Sequence, residues 1–257
     1  MWHCPLKMPN RDGKKDFRMD LTVIVPAYNE VSTIETVLHD VDETDIDKEI
    51  IVVDDGSTDG TREFLAELEG AWAKDASRSR LTVLLQPFNR GKGAALRAGI
   101  AKARGKVTIV QDADLEYDPA DYERLVGPVL DDRADAVYGS RWLDAPPLMR
   151  LGFHALGNRV LTATSNLLTG LRLTDMETCY KAIRTDTLKK LPLREDRFGF
   201  EPEVTAHLAG LGCRIMEVPI SYAGRSYAEG KKIGWRDGLE AFRVMGRCWR
   251  QGARLPR

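Results

Sequence analysis

The 257 residues carry 38 Lys and Arg against 39 Asp and Glu, a formal net charge of −1. A chain of that length buries a substantial core as one large domain or two small ones, and its balanced charge removes any global field that would draw it to nucleic acid. The four cysteines, Cys4, Cys179, Cys213 and Cys248, include no C-x-x-C and imply no pairing, so a reducing, cytoplasmic setting is the simplest expectation.

Residues 1–20 are polar, lack the apolar core of a secretory signal and read as a flexible leader. No apolar run approaches the roughly 18–20 residues that cross a bilayer, so membrane contact would have to be peripheral. From Leu21 short apolar runs alternate with helical patterns. Leu21 to Val25 is a β-branched strand, and Ile34, Val37, Leu38 and Val41 mark an amphipathic helix. Ile50 to Val53 is a second strand, followed by a helical face of Phe64, Leu65 and Leu68. Leu81 to Leu85 is a third strand and Ala94 to Ala103 a helix. Val107 to Val110 is a fourth strand, Tyr122, Leu125, Val126 and Val129 another helical face, and Ala134 to Tyr138 a further strand. Runs that are apolar throughout, rather than alternating, belong to strands covered on both faces, as in parallel βαβ units.

After Gly139 the rhythm changes. Gly152 to Leu168 has helical periodicity, Thr178 to Ile183 reads as a strand running against the others, Pro202 to Leu211 as a helix and Cys213 to Tyr222 as a strand. The pattern predicts an α/β fold with a mostly parallel sheet and an antiparallel acceptor-side portion. Residues 21–141 would form a nucleotide-binding half, residues 142–233 an acceptor half, and residues 234–257 a basic amphipathic tail.

The chemistry concentrates just past the fourth strand, where Asp112, Asp114 and Glu116 precede the helix-capping pair Asp118-Pro119. Ligands of open α/β sheets bind at that edge. If this stretch is extended, alternate residues point the same way and the three carboxylates converge. Hard cations such as Mg²⁺ or Mn²⁺ relieve such repulsion through oxygen ligands. Acidic residues past the earlier strands, Glu30 and Asp55, are candidates to accept hydrogen bonds from a base or ribose. Ser57, Thr58 and Asp59 fit turn chemistry better. Asn89-Arg90-Gly91-Lys92-Gly93 opens a helix, where glycines let a phosphate approach and the N-terminus favours anions. It is neither a P-loop nor a G-x-G-x-x-G, which disfavours kinases and dehydrogenases.

In order and spacing, Pro26-Ala27-Tyr28-Asn29-Glu30, Val53 to Asp59, Asn89 to Ala94, Asp112-Ala113-Asp114 and Gly139-Ser140-Arg141 resemble the family 2 glycosyltransferases, inverting enzymes of GT-A fold. Asp175 to Lys181, Gly199-Phe200-Glu201, Glu217 to Ile220 and Gly224 to Lys232 resemble the dolichol-phosphate mannose synthase branch, so that the likeness covers residues 21–240. The resemblance implies that Pro26, Tyr28, Glu30, Val53 and Asp55 hold the nucleoside of a GDP- or UDP-linked sugar. It also implies that Asp112, Ala113 and Asp114 hold Mg²⁺ or Mn²⁺ and the diphosphate. Glu116, where many relatives have Gln, becomes a third candidate metal ligand. Lys92, Arg141, Arg225 and Lys231 would contact the donor and its phosphates, Arg bidentately and Lys as a point charge. Arg150, His154 and Asn158 share a helical face that would meet the acceptor, His154 standing where the branch has Ser.

A phosphate acceptor, such as polyprenyl phosphate at the cytosolic membrane face, is already ionised and needs no general base. A hydroxyl acceptor needs one, for which Asp175, Glu201 or His154 are the candidates. Glu201 and Glu203 are also candidates to orient sugar hydroxyls. In the tail, Trp235, Leu239, Phe242, Met245 and Trp249 lie on one helical face beside an arginine stripe, a pattern that suits an interfacial helix, a helix packed on its own domain with a solvated basic side, or one that meets a partner's transmembrane helix. Nucleic acid is disfavoured, because no stacking platform accompanies the charges.

Overall fold

A computed structural model describes residues 19–75, 78–144, 153–224 and 235–251. A seven-stranded sheet runs in the order β3-β2-β1-β4-β6-β5-β7. Its strands are β1 (Leu21–Ala27), β2 (Lys48–Asp54), β3 (Arg80–Leu85), β4 (Val107–Val110), β5 (Ala136–Ser140), β6 (Lys181–Arg184) and β7 (Ile215–Pro219). The helices are α1 (Ile34–Asp42), α2 (Thr61–Trp72), α3 (Lys92–Lys102), α4 (Tyr122–Leu130), α5 (Phe153–Thr169), α6 (Thr185–Leu188), α7 (Phe200–Gly210) and α8 (Trp235–Arg250). β2, β4 and β5 are buried along their whole length, as fully apolar runs covered on both faces should be.

Two features of this topology place the site. β1 pairs in parallel with both β2 and β4. The chain therefore builds outward from β1 through β3, then returns to β1's other side, which makes the carboxyl ends of β1 and β4 a switch point where a crevice opens. The second feature is β6, antiparallel to both β4 and β5. Its first residue, Lys181, lies opposite Tyr138 in the middle of β5, and the preceding Tyr180 carbonyl accepts from the Gly139 N–H. The segment that leads into β6 is thus delivered to the same edge where β4 and β5 finish. The expected opposed strand is present, shortened to four residues.

α8 departs from the single face expected of it. Ala241, Val244, Met245 and Cys248 are buried, and Val244 and Cys248 cluster with Ala206 of α7. Leu239, Phe242 and Trp249 stay exposed, at 60%, 39% and 47%. Met245 therefore belongs to the inward stripe: an adjacent stripe of Ala, Val and Cys fits against α7, and Met245 lies beside it. Among the described residues no helix is long and apolar enough to cross a membrane.

Candidate active site

The two loops past β1 and β2 are stitched together by the polar residues expected to make turns. The Asn29 backbone N–H donates to Ser57 Oγ at 2.9 Å, Asn29 Oδ1 accepts from the Thr58 N–H at 2.8 Å, and Asp59 accepts from Val31 and Thr61. Asn29 adopts φ 54°, a conformation Asn tolerates better than most residues. Tyr28 and Glu30 remain half-buried on this rim. Pro26 lies in register with Val53, which is wholly buried. Asp55 is also buried, and its carboxylate accepts the N–H groups of Arg90 and Gly91 at 2.9 and 2.7 Å. It therefore fixes the loop that starts α3.

That loop corrects one expectation. A Cβ on Gly91 or Gly93 would strike the carbonyls of Asp196 and Glu195, and the Ala94 N–H donates to the Asp196 carbonyl at 3.0 Å. The glycines admit the backbone of residues 195–197 rather than a phosphate, so the N-terminus of α3 is capped from within the chain. Lys92 faces the site instead. Its Nζ lies 2.9 Å from Asp112 Oδ1 and 3.2 Å from Glu201 Oε1. Burial alone would lower the Lys92 pKa, but Asp112 and Glu201 hold it well above the ordinary lysine range.

Past β4 the chain is not extended. Leu115 takes φ 61°, and Asp114 Oδ1 accepts the Glu116 N–H at 3.2 Å, closing a turn. Alternation along a strand therefore does not govern where these side chains point. Asp112 faces Lys92, while Glu116 Oε2 accepts from Tyr222 Oη at 2.9 Å. Buried Ala113 is anchored by its carbonyl, which accepts from Thr33 Oγ1 at 2.6 Å.

Arg141 leaves the end of β5 and meets Asp175 through two parallel bonds, Nε to Oδ2 at 2.7 Å and Nη2 to Oδ1 at 2.8 Å. The Arg141 backbone N–H adds a third bond at 3.1 Å, and Asn158 Nδ2 from α5 a fourth at 3.1 Å. Burial works to raise the Asp175 pKa, but the Arg141 charge and these bonds keep it below the usual carboxylate value. Asp175 is thus an anion with its lone pairs occupied, which fits it to hold Arg141 in place rather than to take a proton. The Arg141 guanidinium also lies 5.2 Å from the Tyr222 ring. An open cleft of about 300 Å³ adjoins the pair, lined by Trp142, Leu143, Arg159 and Thr174.

Of the other anticipated residues, Glu203 of α7 is committed to the fold. Its Oε2 accepts the N–H groups of Arg194 and Glu195, both at 2.9 Å. Arg150, Arg225 and Lys231 lie outside the described residues, as does the side chain of His154. Sequence reasoning passed over Glu177 and Lys181. Lys181 is buried, donates to the Thr178 carbonyl and sits 4.9 Å from the Tyr138 ring. Glu177 keeps part of its surface accessible, yet its Oε1 is closed off and unpaired. The signal that could have found it is Asp175-Met176-Glu177, a second acid-x-acid just before a strand.

Two clusters of charge, Asp112–Lys92–Glu201 and Arg141–Asp175–Asn158, thus share one sheet edge with the switch-point crevice. Residues 22–191 match the family model described as glycosyl transferase family 2. The chain is 31% identical over 228 residues to an undecaprenyl-phosphate mannosyltransferase of Micrococcus luteus, covering 84% of this chain and 88% of that protein. It is also 31% identical to a polyprenol monophosphomannose synthase of Mycolicibacterium smegmatis, covering 82% and 80%. Among solved structures, a mannosyltransferase of Pyrobaculum calidifontis in complex with GDP-Man and Mn²⁺ superposes with a TM-score of 0.56 at 26% identity, covering 79% of this chain and 56% of that one. The chain therefore belongs to glycosyl transferase family 2 and is a glycosyltransferase of GT-A fold.

Proposed function

We propose that this enzyme transfers a hexose from a GDP- or UDP-linked donor to a polyprenyl phosphate, with inversion, at a membrane surface on the cytosolic side. The observation that carries the reading is the commitment of the acceptor-side carboxylates. Asp175 is saturated by Arg141 and Asn158, and Glu201 is paired with Lys92. A hydroxyl nucleophile would need a base, and of the candidates Asp175, Glu201 and His154 the first two are committed elsewhere, whereas a phosphate monoester is already ionised near neutral pH. The relatives named for undecaprenyl and polyprenol phosphates support the same acceptor class.

The nucleoside would lie in the crevice between the Tyr28–Glu30 rim and the loop held by Asp55. The diphosphate would reach the turn at Asp112, and Arg141 would draw in the acceptor phosphate from the cleft beside Trp142. The donor set at the turn suits a hard cation: Asp112 and Asp114 offer oxygen ligands, and the Lys92 ammonium already supplies positive charge at Asp112. Asp112 and Asp114 would hold Mg²⁺ or Mn²⁺, with Glu116 as a further ligand if it leaves Tyr222, and the cation would neutralise the leaving diphosphate. Lys92 and Arg141 add fixed positive charge from opposite ends, countering the repulsion between two phosphates that must approach in line. The exposed Leu239, Phe242 and Trp249 of α8, beside exposed Arg243 and Arg250, fit a surface that rests on anionic lipid.

The deciding experiment incubates the protein with radiolabelled GDP-mannose, UDP-glucose or UDP-N-acetylglucosamine, Mn²⁺ and undecaprenyl or dolichyl phosphate, then extracts with organic solvent. Label is expected in the organic phase with one donor. Label that never leaves the aqueous phase would end the lipid reading.

A further inference from the structure

Glu177 has no part in the scheme above, and its surroundings are unusual. Its Oε1 is sealed from water without a hydrogen-bond partner, and the residue makes no ion pair among the described residues. Charged groups on several elements act on it: Glu201 of α7, Lys181 of β6, Arg141 beyond β5, and Asp175 of its own segment. None of these satisfies it. Arg141 is turned to Asp175, Glu201 to Lys92, and Lys181 donates to the Thr178 carbonyl. Asn158 Oδ1 and Thr178 Oγ1, from α5 and from the residue after Glu177, are unpaired in the same way. Buried polar atoms left orphaned in native proteins call for a specific explanation, and an absent ligand is one. These three belong to segments that also supply the Arg141–Asp175–Asn158 cluster, and Glu177 stands within the field of both charge clusters.

We infer that Glu177, which stays partly accessible although its Oε1 is closed off, is a specificity-determining residue whose carboxyl binds a hydroxyl of the transferred sugar. The inference rests on the nucleotide-sugar reading and deepens it. Burial, and then the Glu201 charge, push the Glu177 carboxyl up to about 8, so it carries its proton at neutral pH. A neutral carboxyl presents one O–H donor and one carbonyl acceptor, which complements a sugar hydroxyl. It adds no negative charge beside two phosphates, and an arriving diphosphate raises its proton affinity further. It also cannot serve as a base at that pH, in keeping with an ionised acceptor.

The test measures donor binding with no acceptor present, so that it stands apart from the lipid assay. Affinities are measured calorimetrically, with Mn²⁺, for GDP, UDP, GDP-mannose, UDP-glucose and UDP-N-acetylglucosamine. The sugar increment is the ratio of nucleotide-sugar to nucleoside-diphosphate affinity. Wild type should show an increment with one donor. Glu177→Gln, which keeps a donor and an acceptor, should retain most of it. Glu177→Leu should lose about 10- to 100-fold of it, with nucleoside-diphosphate affinity held within about twofold. Equal loss on nucleotide sugar and bare diphosphate would mark a structural role and overturn the inference. So would an increment untouched by Glu177→Leu, or no increment in wild type. Should Glu177→Leu not fold, deoxy analogues of the bound donor decide with wild type and Glu177→Gln alone. The penalty for one missing hydroxyl must differ between the two, and identical penalties at every position defeat the inference.

Discussion

Asp112-Ala113-Asp114 and Asp175-Met176-Glu177 share a pattern, acid-x-acid beside a strand at one sheet edge, yet they carry different chemistry. The first follows β4 in a turn. The Asp112 side chain is 22% exposed, and its partner Lys92 is shared with Glu201. The second precedes β6 in the interior. Asp175 is wholly buried and saturated by Arg141 and Asn158, while Glu177 has neither water nor a partner for Oε1, and burial pushes its carboxyl well above the usual range. A carboxylate near water can exchange one cation for another, so the first pair suits a ligand that comes and goes. A buried carboxylate must have its charge matched permanently or surrender it. Exposure and the nearest cation, not spacing, decide which of these an acidic pair becomes.

The comparison breaks most visibly if the partly exposed pair proves structural. Asp112→Asn with Asp114→Asn should lower turnover by about 10³-fold or more while the chain stays folded by circular dichroism, because charge stabilisation in the transition state is what is removed. Turnover within a few-fold of wild type would sink the metal assignment. The buried pair should respond in the opposite currency. Asp175→Asn strands the Arg141 charge in the interior and should cost about 3–5 kcal/mol in denaturant unfolding. The Asp175 pKa is depressed on folding, so its stabilising contribution is present above the unfolded value of 3.8 and is lost as pH falls through the folded value. The gap between wild type and Asp175→Asn should accordingly close in acid.

A smaller effect tests the support around that pair. Asn158→Ala removes one donor to the Asp175 carboxylate and should cost about 1.5 kcal/mol, with catalysis falling further than stability if Arg141 loses its aim. A pH series separates the two acids of the interior segment. Glu177 shifts the other way, from 4.5 to about 8, so its contribution to stability is present below the unfolded value and is lost as pH rises through about 8. Glu177→Gln has nothing to lose over that range. Its melting temperature should gain steadily on wild type between about pH 5 and 8, and a constant difference would show that Glu177 is ionised throughout.

Much of this was legible in the chain itself. The run Ile50-Ile51-Val52-Val53 declared a doubly covered strand because nothing in it could face water, and Asp59 declared a turn because its side chain bonds the Thr61 backbone two residues on. The ordered motifs from Pro26 to Arg141 pointed to the family, and that assignment stands. What the sequence could not show was set by contacts distant along the chain. Nothing local says that Gly91 and Gly93 make room for residues 195–197, that Met245 turns inward with Val244 while Trp249 stays out, or that Leu115 bends the acidic stretch away from extension. Above all, only the reversed direction of β6 brings Asp175 and Glu177 to the edge where Asp112 and Arg141 end. Periodicity and turn chemistry act within a few residues, so one dimension records them. Strand order, direction and the partner of a buried charge depend on residues far apart in sequence, so only the folded chain decides whether an acid stays ionised, binds a cation or keeps its proton.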